Sequence, residues 1–196
     1  MRKTIPFIVV AGIGLFGCSQ KSEREKEPAS TSAQESTRHK PAFAAPDSFK
    51  VGLGKVFEGY TNIESALAHD NFAQAKDAFQ SMHTILHILQ TDGLDSSGKV
   101  YWDSLDGSIM GVLHPMASSE NIAGMRDHFI DFTPLILDAV EKFGASSEIQ
   151  AYLFHCPMAR NKQGADWLQR DTVLLNPYYG SSMPTCGSLV REVKLH

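Results

Sequence analysis

Two of the chain's three cysteines sit in short stretches that echo each other, "HCPMA" at 155–159 and "MPTCG" at 183–187. Together they offer two thiols, Cys156 and Cys186, and two thioethers, Met158 and Met183. Such a soft donor set selects Cu(I) or Ag(I) over hard cations. Zinc fits less well, because zinc sites recruit Cys, His and carboxylates rather than methionine. An extended run through Pro157 would send the Cys156 and Met158 side chains to one face. Met183 and Cys186, with Pro184 and Gly187, read as a turn that aims both sulfurs to one side. A Cys156–Cys186 disulfide uses the same residues differently. Closing a loop of roughly thirty residues stabilises a fold by about 3.5 kcal/mol in the chain-entropy model. A pair that oxidises when empty and binds metal when reduced satisfies both readings. Spacing alone does not choose among them.

Histidines supply a weaker set of candidates. His83 and His87 are four apart and share one helix face, where two imidazoles can hold a metal, although the pair also reads as the polar edge of an apolar stripe. His155 adjoins Cys156 and on a strand points to the opposite side, which suits a supporting or surface group. That opposition also makes a Cys156–His155 nucleophile and base a poor pairing. His114 and Met116 flank Pro115 and read as a weak accessory site or, more simply, as loop residues, and His128 reads as structural. Met82, Met110 and Met125 fall at core spacing. Trp167, Tyr178 and Tyr179 suit the core of a C-terminal cap, and Asn176-Pro177 with Gly180 a turn without chemistry of its own. The sequence carries no H-E-x-x-H, C-x-x-C, P-loop or G-x-S-x-G, so a binding protein rather than an enzyme is expected.

Helices must position these groups. Val51, Val56, Phe57, Tyr60, Ile63 and Leu67 recur at mostly helical spacing after Asp47. Asn71 with Gln74 forms a capping box for a second helix carrying Phe72, Ala75, Phe79, Met82, Leu86 and Leu89, which Asp92-Gly93 ends. A third helix spans 97–116 and closes at Pro115. A fourth starts at Ser118 or Ser119, runs through Phe143 to Gly144, and is kinked or restarted at Pro134. "EIQAYLF" (148–154) alternates like a strand, and Pro, Gly, Asn and aromatic residues follow. The expected fold is mostly α: an antiparallel four-helix bundle capped by a small loop-rich β element at the C-terminus.

Residues 1–17 have a basic start and a short apolar stretch ending at Leu15-Phe16-Gly17-Cys18. This resembles a bacterial lipoprotein signal peptide, with Cys18 as the lipidated first mature residue. Ser19 in place of aspartate resembles the sorting pattern for the outer membrane, and so implies a lipid anchor on its periplasmic face. Residues 18–46, polar and of nearly balanced charge, read as a disordered tether, leaving 47–196 as one domain. A net charge of −4 gives no reason to expect nucleic acid.

"HCPMA", "ADWLQ", "NPYYG" and "MPTCG", in that order, resemble a bacterial periplasmic domain family of unknown function. That family occurs on lipoproteins and at the C-terminus of the periplasmic adaptor subunits of copper and silver efflux pumps. "YTNIESALAHDNFAQAKDAF" (60–79) is similar to its first helix pair, so the likeness runs over about 50–192. Pro184 stands where an apolar residue such as Leu is expected. The resemblance implies Cys156, Met158, Met183 and Cys186 as metal ligands, Cu(I) or Ag(I) as the bound ion, and periplasmic components of a heavy-metal efflux system as partners.

Overall fold

The computed structural model describes residues 40–146 and 150–194. The signal peptide, Cys18 and most of the expected tether lie outside the described residues. Helix α1, Asp47–Ala68, buries Phe49, Leu53, Val56, Phe57, Tyr60, Ile63 and Leu67 along one stripe. Val51 is off that stripe and 44 % exposed. Helix α2, Phe72–His87, opens on the expected Asn71 cap, whose Oδ1 accepts the Gln74 N–H at 3.0 Å. The return half of the expected capping box is not made: Gln74 Oε1 accepts from the Asn71 side-chain Nδ2 at 3.1 Å, and the Asn71 N–H goes to the Ala66 carbonyl. It stops at His87 rather than at Asp92-Gly93. The chain turns there so that Leu89 lies over Gly52, where even a Cβ would meet Leu89 Cδ1 at 2.2 Å.

Helix α3, Ser96–Ala117, starts from Asp95, whose carboxylate accepts the Gly98 N–H at 2.6 Å, and keeps Pro115 within its last turn. Helix α4, Ile122–Phe143, is capped by Asn121 and not by Ser118 or Ser119; Asn121 Oδ1 accepts the Gly124 N–H at 3.0 Å. It runs unbroken through Pro134 and ends at Gly144, with φ 73°. Helices α1 and α2 pack together, α3 and α4 pack together, and α1 against α4 joins the pairs. The result is a four-helix bundle. At one place the packed domain starts earlier than Asp47. Phe43, inside the stretch read as tether, stacks on Phe143 with centroids 5.1 Å apart and donates its N–H to the Lys142 carbonyl.

Three strands follow: β1, Ala151–Cys156; β2, Ala165–Gln169; and β3, Ser188–Val193, in the order β2-β1-β3, antiparallel throughout. The first strand thus lies later than 148–154, and residues 147–149 are outside the described residues. The sheet docks on the bundle through a relay. Leu168, on edge strand β2, donates its N–H to Tyr60 Oη at 3.1 Å. Tyr60 then donates to Thr133 Oγ1 at 2.7 Å, and Thr133 to the Phe129 carbonyl. Arg126 of α4 ties the same parts together from outside, donating to the Pro177 and Leu67 carbonyls and to Asp70. Among the described residues no helix is long and apolar enough to cross a membrane.

Candidate metal centre

Cys156 is the last residue of β1, the middle strand, and its side chain is wholly buried. Strand β3 returns beside it with Ser188 opposite His155, which brings Gly187 alongside Cys156 and Cys186 just beyond. Gly187 has φ 145°, and a Cβ there would meet the Trp167 ring at 2.7 Å and the His155 carbonyl at 2.9 Å. Glycine is therefore what lets the chain pass close enough to put the thiols in contact. The two Sγ atoms are 3.1 Å apart and both cysteines are free.

That separation lies between two chemical states. A disulfide holds its sulfurs at about 2.05 Å. A tetrahedral metal with metal–sulfur bonds of about 2.3 Å holds them at about 3.8 Å. Either occupant requires one sulfur to move by less than a bond length, and Cys186, half-exposed, is the freer of the two. Its contact with Cys156 raises the Cys186 thiol above the usual range; desolvation adds to the rise, and a hydrogen bond from the Met158 backbone offsets part of it.

The methionines sit differently from the thiols. The strand ends at Cys156, and Pro157 turns the chain, so Met158 has helical φ/ψ of −88° and −19° rather than the extended geometry that would have aligned it with Cys156. Its side chain is 37 % exposed. A tight turn, Ala159–Lys162, follows, with Arg160, Asn161 and Lys162 all at positive φ. Met183 ends a single 3-10 turn, Gly180–Ser182, is half-buried, and accepts the Cys186 N–H on its carbonyl at 3.2 Å. Both methionines thus border the thiol pair through the chain that leads away from each cysteine.

Tyrosines and one asparagine brace this corner. Tyr179 donates its hydroxyl to the Met158 carbonyl at 2.6 Å, and Tyr178, buried against Trp167, donates to the Asp166 carbonyl. Burial raises the Tyr178 phenol far above its ordinary value, and desolvation followed by the two nearby cysteines raises Tyr179. Asn176 is wholly buried. Its Nδ2 donates to the Cys186 carbonyl at 2.5 Å, its N–H to the Pro184 carbonyl at 2.9 Å, and its Oδ1 accepts the N–H groups of Tyr178 and Tyr179. Sequence reasoning treated Asn176 as a turn residue only. The signal for its larger role was its type, since a side-chain amide can close an Asx turn and still reach a second strand.

The histidine candidates fall apart from the thiols. His155 faces away from Cys156, with Nδ1 2.6 Å from Asp166 Oδ1 across the β1–β2 pair, so it does not address the cysteine. His83 and His87 are on α2, with their Nε2 atoms 3.2 Å apart. Among the described residues no group of three or more His, Cys, Asp and Glu side chains is arranged to hold a metal.

Residues 56–148 match the family described as "Protein of unknown function (DUF3347)". The match covers most of α1 and all of α2, α3 and α4, and stops before β1. It is shorter than the 50–192 span over which a resemblance was expected, and it leaves out the strands that carry Cys156 and Cys186. No curated protein and no solved structure matches the chain significantly.

Proposed function

We propose that this is a periplasmic lipoprotein that binds a soft monovalent metal, Cu(I) or Ag(I), at Cys156 and Cys186, with Met158 and Met183 as thioether ligands. The observation that carries the reading is the contact between two free thiols at 3.1 Å, one buried and one half-exposed. A buried thiol anchors the ion while an accessible one exchanges it. Exposed Met158 suits the same handover, because a thioether is a soft ligand that carries no proton to displace. The protein acts by sequestration or by passing metal to an efflux system, from a lipid anchor at Cys18 on the periplasmic face of the outer membrane. Catalysis has no part in it.

A second reading has its own support. Leu189 and Val190 are 48 % and 53 % exposed on edge strand β3, immediately after Cys186. A metal-free domain stapled by a Cys156–Cys186 disulfide and docking through that edge would use them. Native mass spectrometry separates the two. The reduced chain, exposed anaerobically to buffered Cu(I), is expected to carry one copper, and the Cys156→Ser variant none. A chain two hydrogens lighter that takes no copper even after reduction would establish the staple and end the metal reading.

A further inference from the structure

The thiols leave unused a second convergent pair of donors on the other side of α1. His83 and His87 lie one turn apart on α2, with ring planes 82° from parallel and centroids 4.4 Å apart. Their Nε2 atoms point at each other across 3.2 Å. The His83 ring is not loose: it stacks on Phe79, a buried core residue one turn earlier, at 5.9 Å and 23°. Across from it stands α3. His114 lines the same groove as Phe79, His83 and Leu113, and Asp106 is near enough to His87 to be influenced by its charge.

Two ring nitrogens at this distance share either a proton or a cation. A metal with nitrogen bonds of about 2.0–2.1 Å spans two nitrogens about 2.9 Å apart at the right angle of a tetragonal ion and about 3.3 Å apart at a tetrahedral angle, so the gap needs a shift of a few tenths of an ångström and a turn of the rings to bring both lone pairs onto the ion. Metal binding also requires neutral imidazoles. Desolvation, then the neighbouring His87 and His114, lower His83 from its ordinary value, which favours that form.

We propose that His83 and His87 chelate a borderline divalent transition-metal ion on α2, at the margin of the groove that His83 and His114 line, with His114 supplying a third imidazole by rotation of its side chain. Of the first-row divalent ions, Cu(II) binds such nitrogen sites most tightly. The chemistry is distinct from that of the thiols: imidazole takes the oxidised or borderline ion, and sulfur the soft one. The site does not depend on the thiol reading, and each can fail without the other.

The test uses the full chain with Cys18, Cys156 and Cys186 all replaced by serine, so that thiols neither bind nor reduce the probe. Cu(II) is titrated against a competing chelator and the bound ion examined by electron paramagnetic resonance. One tight copper with nitrogen hyperfine structure from at least two imidazoles is expected. His83→Gln and His87→Gln should each weaken it by at least about tenfold, the low end of what losing even an outer partner of a ligand costs, and His114→Gln should weaken it less. A Ni(II) titration of the unsubstituted chain, read with the same histidine variants, repeats the test without changing any cysteine. Absence of a tight ion, or binding indifferent to both His83→Gln and His87→Gln, overturns the proposal. The latter result would mark adventitious binding at other histidines or at the chain terminus.

Discussion

At Asn176 a single amide fixes where a thiol sits. Its Nδ2 holds the Cys186 carbonyl while Oδ1 gathers the N–H groups of Tyr178 and Tyr179, so the loop with the aromatic residues and the chain with the cysteine share one support. Cutting the wholly buried amide back to a methyl takes their partner from the Cys186 carbonyl and the Tyr178 and Tyr179 N–H groups. We expect Asn176→Ala to lower stability by about 1–3 kcal/mol, the usual cost of leaving buried polar groups unpaired. The informative readout is the thiol pair. In the variant, formation of a Cys156–Cys186 bond under a mild oxidant should slow relative to the parent, because Cys186 is no longer held against its partner. An unchanged oxidation rate with reduced stability would mean that Asn176 braces the loop without positioning the thiol.

At the level of elements, the sheet is attached to the bundle by directional bonds as well as by apolar contact. The Tyr60 hydroxyl is wholly buried and completes both an edge strand of the sheet and the Thr133 side chain of α4. Tyr60→Phe keeps the ring and its stacking on Phe129, at 5.0 Å, and removes only the relay. It should cost about 1–3 kcal/mol through the stranded Leu168 N–H, with amide exchange at Leu168 accelerating more than in the helices; uniform acceleration across the fold would deny Tyr60 a local role. The same elements mark how far the sequence could be read. Helices were legible because their signals are local: an apolar stripe, the Asn71 cap, Gly144 at a C-terminus. The start of α4 was misread because Ser118, Ser119 and Asn121 are all competent caps; the two serine hydroxyls instead donate back to the His114 and Pro115 carbonyls of α3, and Asn121 caps α4. Phe43 joined the core because one aromatic side chain can dock beside Phe143 and Tyr101 from an otherwise polar stretch. The sulfur residues were legible by type. Both sequence readings also paired Cys156 with Cys186, but the means of pairing was not legible, since it depends on the β1–β3 register, which shifts between Leu153 and Phe154. No local pattern encodes a shift of that kind.

For the molecule as a whole, two carboxyl groups set opposite limits on stability. Hydrogen bonds from Ser181, then from Arg126, hold the Asp70 carboxyl well below the usual carboxylate range. Its contribution is present above the unfolded value of about 3.9 and is lost as pH falls toward the folded value. Glu64 behaves in the other sense. It is 5 % exposed, its Oε1 has no hydrogen-bond partner, and burial followed by the charge of Asp171 raises it well above its ordinary value. The native state therefore keeps a proton that the unfolded chain releases from about pH 4.3. By linkage, stability falls as pH climbs from there through the folded value. Glu64→Gln preserves the shape and removes the titration. Its melting temperature should track the parent's in acid and then exceed it by a margin that widens as pH climbs toward the folded value, while Asp70→Asn flattens the acid limb instead. A Glu64→Gln margin independent of pH would show that the buried carboxyl does not change its protonation across that range. The widening margin would instead mean that the interface between α1 and the loop after β2, where Glu64 lies with Gln169 and Asp171, is tightest under mildly acidic conditions.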